Sequence, residues 1–311
     1  MLQNAFARLL KIGAKSSSLA ICLAISSPSA ATPGQPASRQ VQGEQSGPAL
    51  WVVRDADSTL YLFGTMHALS ADAVWNGPSI RDAMAGSDEI WFEAEPPTDP
   101  SAIHALIRQF GIDRERPLSS RLSAAEMATF REAVGRLGIP AEQADAMRPW
   151  LAAISLAGLP LAQAGYDPAN GADPLLLAAA NAAGKRVRTF ETAEQQTRFF
   201  ADLPADVELE LLRETLKSYR DGAAELRRME FAWTRGDSDA VWELGGAPMR
   251  QQFPAVYAAL LADRNRRWAD TIIRELEGEG TDFIAVGALH LLGPDSVQSL
   301  LQVRGYVVER R

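Results

Sequence analysis

Two histidines of the chain stand in the same local setting. Leu60-Tyr61-Leu62-Phe63-Gly64-Thr65-Met66-His67 is an apolar run that stops on a glycine and delivers an imidazole three residues later. Phe283-Ile284-Ala285-Val286-Gly287-Ala288-Leu289-His290 repeats the device, in a chain that has three histidines in all. An imidazole moves protons near neutral pH or, in its neutral form, ligates a metal. The acid that could join the pair is Glu93, near the end of another apolar run, Glu89-Ile90-Trp91-Phe92-Glu93-Ala94-Glu95. Two histidines and a carboxylate are a common ligand set for a catalytic metal with one position open for water. Such an ion lowers the pKa of its water and polarises a carbonyl. Gly-x-x-His is short, and a strand-end histidine can equally bond a neighbouring backbone group. The weight here comes from finding the motif twice.

Other candidates have structural explanations beside the chemical ones. Arg148, before Pro149-Trp150, could steady an oxyanion or phosphate, or be a helix-start arginine stacked on Trp150. Glu95 lies on the same strand face as Glu93 and reads as solvated or supporting. His104 sits among Ile103, Leu106 and Ile107 and reads as structural or solvent-facing. Asp173 before Pro174 reads as a helix cap, Glu191 as a strand-end acid, and Arg264-Asn265 as a packed polar pair within a helix. The glycine patterns of dinucleotide and nucleoside-triphosphate sites are absent, as are Gly-x-Ser-x-Gly and His-Glu-x-x-His.

A strand that ends in Gly-x-x-His places its histidine at the carboxyl edge of a sheet, where open α/β sheets bind ligands. If the two strands are parallel neighbours, the imidazoles share one site. Leu50–Arg54 and Thr59–Phe63, joined by an Asp-rich turn at 55–58, predict an opening hairpin and hence a mixed sheet. Glu89–Glu95, Val187–Glu191, the run ending in Gly287–His290 and Gly305–Glu309 supply the remaining strands. Between them the pattern is helical: 71–85 with a break at Pro78, a helix opened by Asp99-Pro100, and one capped by Ser123-Ala124-Ala125-Glu126. Helices follow Pro149, Asp173 and the box Thr192-Ala193-Glu194-Gln195, then fill 208–235 and, as a pair, 255–277. The expectation is an α/β (α+β-like) domain at 49–311. Its mixed central sheet comes from both ends of the chain, and its helical middle is an insertion or cap.

The 311 residues are 47% apolar and 23% charged, the balance of a globular protein with a sizeable core. Arg8, Lys11 and Lys15 precede the short apolar run Leu19–Ile25 and the small residues Ser26–Ala31, which reads as a secretory signal over 1–31. The run is too short to span a membrane, and no spanning run follows it. Cys22 has the outline of a lipid-attachment site with a bulky Ile21 before it, so export to the periplasm or outside is preferred to lipidation. Removing 1–31 removes the only cysteine, and with it disulfides, thiolate ligands and a cysteine nucleophile. Residues 32–48 are rich in Pro, Gly, Gln and Ser and read as a flexible linker. The formal charge of −8 becomes more negative once the three basic residues of the signal are gone. Nucleic acid is therefore excluded as a partner, since its binding draws on Lys and Arg.

Taken in order, the motifs resemble the TraB/GumN family, which includes the animal Tiki proteins. The match rests on Gly64-Thr65-Met66-His67 with Glu93, Met147-Arg148-Pro149-Trp150 and Gly171-Ala172-Asp173. It continues through Phe190-Glu191-Thr192 with Gln195, Arg264-Asn265, and Gly287-Ala288-Leu289-His290-Leu291 with Gly293. The resemblance implies a fold related to erythromycin esterases and a divalent-metal-dependent hydrolase acting on peptide or protein. Manganese, cobalt or zinc would be held by His67, Glu93 and His290, with Arg148 assisting. Ala94-Glu95 departs from the Leu-Asp that relatives often carry after the glutamate. The alternative is a non-enzymatic peptide- or haem-binding protein of the same fold.

Overall fold

A computed structural model of the chain describes residues 47–94, 100–218 and 222–311. The signal sequence, Cys22, Glu95, Asp99 and all of the linker but Gly47 and Pro48 lie outside the described residues. The strands are β1 (Leu50–Arg54), β2 (Ser58–Thr65), β3 (Glu89–Ala94), β4 (Arg186–Glu191), β5 (Gly280–Gly287) and β6 (Val308–Arg310). They form one mixed sheet in the order β4-β3-β5-β2-β1-β6. The first four in that order run parallel, and β1 and β6 close one side antiparallel.

Both faces of the sheet are covered, which is why its central strands read as continuous apolar runs rather than as alternation. Phe63, Phe92, Phe283 and Ala285 point to one face, against Ile80 and Ala83 of the helix Pro78–Gly86, Leu176 of Ala172–Ala182, and Trp233 of Gly222–Thr234. Leu62, Trp91, Ile284 and Val286 point to the other, against Trp268, Ile272 and Leu276 of Asp263–Leu276 and Leu301 of Val297–Val303. The helical middle builds a core of its own around Phe130, Trp150, Leu156, Phe200, Leu211 and Val256.

β2 and β5 are parallel neighbours, as the repeated motif requires, but they pair Gly64 with Val286 and Thr65 with Gly287. The two motifs are thus one residue out of step. β2 also stays extended through Thr65, whereas β5 ends on Gly287 and Ala288–Leu291 coil into a 3-10 turn. That turn corrects the expectation of strand up to His290. Identical sequence settings therefore deliver their histidines by different routes.

Both capping boxes form as anticipated, at Ser123/Glu126 and Thr192/Gln195. The helix expected over 71–85 instead begins at Pro78, because a proline fits the first turn, where its missing N–H would have no partner. Asp173 is not a cap: the cap position is Gly171, and Asp173 lies inside the first turn with a buried side chain. The pair of helices expected over 255–277 is one run from Pro254 to Leu276, carried through a π turn at Ala258–Ala262.

Candidate functional site

The two histidines and Glu93 meet at the carboxyl edge of the parallel strands. Glu93, one residue from the end of β3, is 1% exposed. Its Oε1 accepts the backbone N–H of Gly287 at 2.6 Å and lies 3.6 Å from His290 Nε2 and 3.9 Å from His67 Nε2. Its Oε2 accepts from Arg264 Nη2 at 2.6 Å. Burial penalises the carboxylate, but the charges of Arg264, His290 and His67 and the Gly287 bond together hold its pKa far below the ordinary range.

Gly287 is required by this approach. A Cβ built there would lie 3.0 Å from Glu93 Oε1 and 3.0 Å from His67 Nε2. Gly171 plays the same part for the backbone, since a Cβ there would sit 2.2 Å from the His67 carbonyl oxygen.

His67 is positioned by the amino end of the helix Ala172–Ala182. The N–H of Ala172 donates to Met66 O, and Asp173 Oδ2 accepts a hydrogen bond from His67 Nδ1 at 2.8 Å. Thr65 Oγ1 donates to the other Asp173 oxygen at 2.8 Å, which fixes the carboxylate plane. Burial disfavours a proton on the ring. The charge and hydrogen bond of Asp173, with the charge of Glu93, override it and raise the pKa to about 9.

His290 has the opposite environment. Its Nδ1 donates to Asn265 Oδ1 at 2.5 Å, and its Nε2 accepts from Arg264 Nη1 at 3.1 Å. The ring lies 4.3 Å from that of Trp268. Burial and the neighbouring guanidinium push its pKa down to about 3, so it is a neutral imidazole at neutral pH.

Arg264 occupies the centre. Its Nε and Nη2 hold Glu191, Nη2 also holds Glu93, and Nη1 reaches Leu260 O and His290 Nε2. Trp268 stacks against the guanidinium and donates Nε1 to Glu191 Oε1 at 3.0 Å. Burial raises the pKa of Glu191 despite that ion pair.

Above the cluster opens a cavity of about 80 Å³. Its floor includes His67, Arg264, His290 and Gln196, and its walls are apolar, among them Met66, Phe199, Met229 and Leu261. Among the described residues no hydrogen bond reaches His67 Nε2, and Glu93 Oε1 lies 3.9 Å from it.

The three expected metal ligands are brought together but do not fit a shared ion as placed. Both Glu93 oxygens already accept hydrogen bonds, and His290 Nε2, the ring nitrogen turned toward Glu93, accepts one from Arg264. Their ligand atoms also do not all come within 4.8 Å of one another, whereas two nitrogens on one zinc ion lie within about 4.2 Å, twice the bond length. Among the described residues, the acids close enough to share an ion are Glu89, Glu275 and Asp282, at the far end of the strands. There Arg186 and Arg188 already pair with Glu89.

Arg148, expected to assist, is not brought to the cluster. Its guanidinium bonds Glu208 and the carbonyls of Phe110 and Ala201, and Trp150 stacks on Phe200 instead of on Arg148. These partners tie together elements of the helical middle, and they leave Arg148 a structural arginine. His104 lies on the helix Pro100–Phe110 and does not line the cavity. Asp173, Arg264, Asn265 and Glu191 are the members that sequence reasoning assigned to structure alone. A signal for one of them was present: Arg264, Trp268, Ile272 and Leu276 are spaced at four-residue steps, so Arg264 heads the buried stripe of its helix.

No curated protein and no solved structure matches the chain. The TraB/PrgY/gumN family profile matches residues 49–310, which take in both Gly-x-x-His units, Glu93 and the whole sheet, and the chain belongs to that family.

Proposed function

We propose that this protein is a hydrolase of acyl bonds, peptide bonds first, in which His67 moves the protons. The observation that carries this reading is His67 Nε2, backed by Asp173 on Nδ1 and turned toward a cavity with Glu93 Oε1 3.9 Å away. A water between Nε2 and Oε1 is within hydrogen-bond reach of both. Neutral His67 takes its proton as the oxygen attacks the substrate carbonyl, and Asp173 stabilises the imidazolium formed. The imidazolium then gives that proton to the leaving group. His290, neutral and bonded through both nitrogens, keeps Arg264 and Asn265 in place and takes no proton. The signal-like residues 1–31 support a periplasmic or secreted place of work.

The test is turnover of a fluorogenic library of peptides and esters bearing apolar residues. Wild type should cleave a subset, and His67→Gln should lose roughly 100-fold or more of that rate, the usual contribution of a general base, with an unchanged circular dichroism spectrum. The apolar cavity walls also suit a second reading, capture of an apolar peptide side chain without chemistry. Tight binding without turnover, unaltered in His67→Gln, would establish that alternative.

A further inference from the structure

The geometry points to Arg264 as the built-in cation of this site, holding the place that a divalent ion would take, so that the cluster works without one. The inference rests on the hydrolase reading only for its activity arm. All five N–H groups of the guanidinium have acceptors. Nε is 2.9 Å from Glu191 Oε1, and Nη2 lies 2.6 Å from Glu93 Oε2 and 2.8 Å from Glu191 Oε2. Nη1 is 3.0 Å from Leu260 O and 3.1 Å from His290 Nε2. A planar fork satisfied in this way is fixed in position and cannot be neutralised by losing a proton.

Of the expected ligands, His290 thus spends its Nε2 lone pair on Arg264, and Glu93 gives Oε2 to Arg264 while Oε1 accepts the Gly287 N–H. An ion placed beside them would also face an unscreened positive charge in a buried setting, where repulsion is strong. Removing Arg264 would instead strand two buried carboxylates. The Asn265 bond to Nδ1 holds the Nε2 lone pair of His290 toward the guanidinium, as a supporting residue does in a histidine–metal site. Here the recipient is an arginine. Arg264 acts through its neighbours: it keeps Glu93 anionic and aimed at His67, and is a positioning residue.

Calorimetric titration of the full chain with manganese, cobalt and zinc, each alone, tests this. Wild type and the His67→Ala/His290→Ala variant should give the same isotherm, whether flat or showing weak uptake at Glu89, Glu275 and Asp282. Cleavage by wild type should survive dialysis against a chelator within twofold. Arg264→Met combined with Glu191→Gln, which vacates the centre without leaving Glu191 charged, should gain saturable binding that a further His290→Ala removes. Saturable binding of one ion to wild type, abolished in the double-histidine variant, would overturn the proposal even if the Arg264 variant fails to fold. So would cleavage lost to the chelator and restored by one ion. A wild-type protein that binds no ion at the histidines and cleaves nothing would sink the hydrolase reading and leave Arg264 as the site's cation.

Discussion

Burial alone would discourage a proton on His67; Asp173, bonded to its Nδ1 at 2.8 Å, reverses that preference. The consequence for catalysis has a definite sign. If neutral His67 is the base, only its unprotonated fraction works, so kcat/KM should rise about tenfold per pH unit and level off near pH 9. In Asp173→Asn the carboxylate charge that supports the imidazolium is gone. The rise should then level off at lower pH, and the plateau should fall about tenfold or more, because the imidazolium formed in the reaction loses its partner. A pH profile of Asp173→Asn superimposable on wild type would remove Asp173 from the mechanism. At this scale the sequence disclosed His67, Glu93 and His290, because each follows an apolar run at a recognisable stop. It did not disclose Asp173, whose chemistry comes from a partner 106 residues away, or the use of His290 as a fixed neutral acceptor.

Strand register and strand ends convert two equal motifs into two unequal sites. The one-residue offset between β2 and β5, and the 3-10 turn after Gly287, set His290 among Arg264, Asn265 and Trp268 and His67 beside Asp173, while both rings line the cavity. The first four strands were legible to within about two residues, since buried strands announce themselves as apolar runs bounded by turn residues, whereas β5 and β6 were placed off by about three at their starts. The register was not legible, because no local feature records which residue of a parallel neighbour is opposite. Arg264 and Asn265 were hidden for a related reason. They read as a packed polar pair, and Arg264 heads the Trp268-Ile272-Leu276 stripe, but nothing local records that the pair meets Glu93, Glu191 and His290. Gly287 is where the element geometry can be probed. In Gly287→Ala the new methyl lies 3.0 Å from both Glu93 Oε1 and His67 Nε2, side-chain atoms that can yield. The variant should fold, with a melting temperature within a few degrees of wild type, and lose tenfold or more in kcat/KM as those two groups are pushed apart. Full activity in Gly287→Ala would show that their spacing is not critical.

Across the whole molecule, helices on both faces of the sheet and a separate helical core leave the cluster at the floor of an apolar cavity. There a few charges set one another's protonation with little water to screen them. No helix among the described residues is long and apolar enough to cross a membrane. The central electrostatic prediction is that the two Gly-x-x-His histidines sit in opposite protonation states at neutral pH. Because the chain has only three histidines, long-range ¹H–¹⁵N spectra of the imidazoles across pH 4–10 test it directly, with His67→Gln and His290→Gln supplying the assignments. The prediction is a His67 ring that is still protonated at pH 7 and titrates near 9, and a His290 ring that stays neutral over the whole range with its proton on Nδ1. Two rings titrating together near the ordinary 6.5 would contradict it.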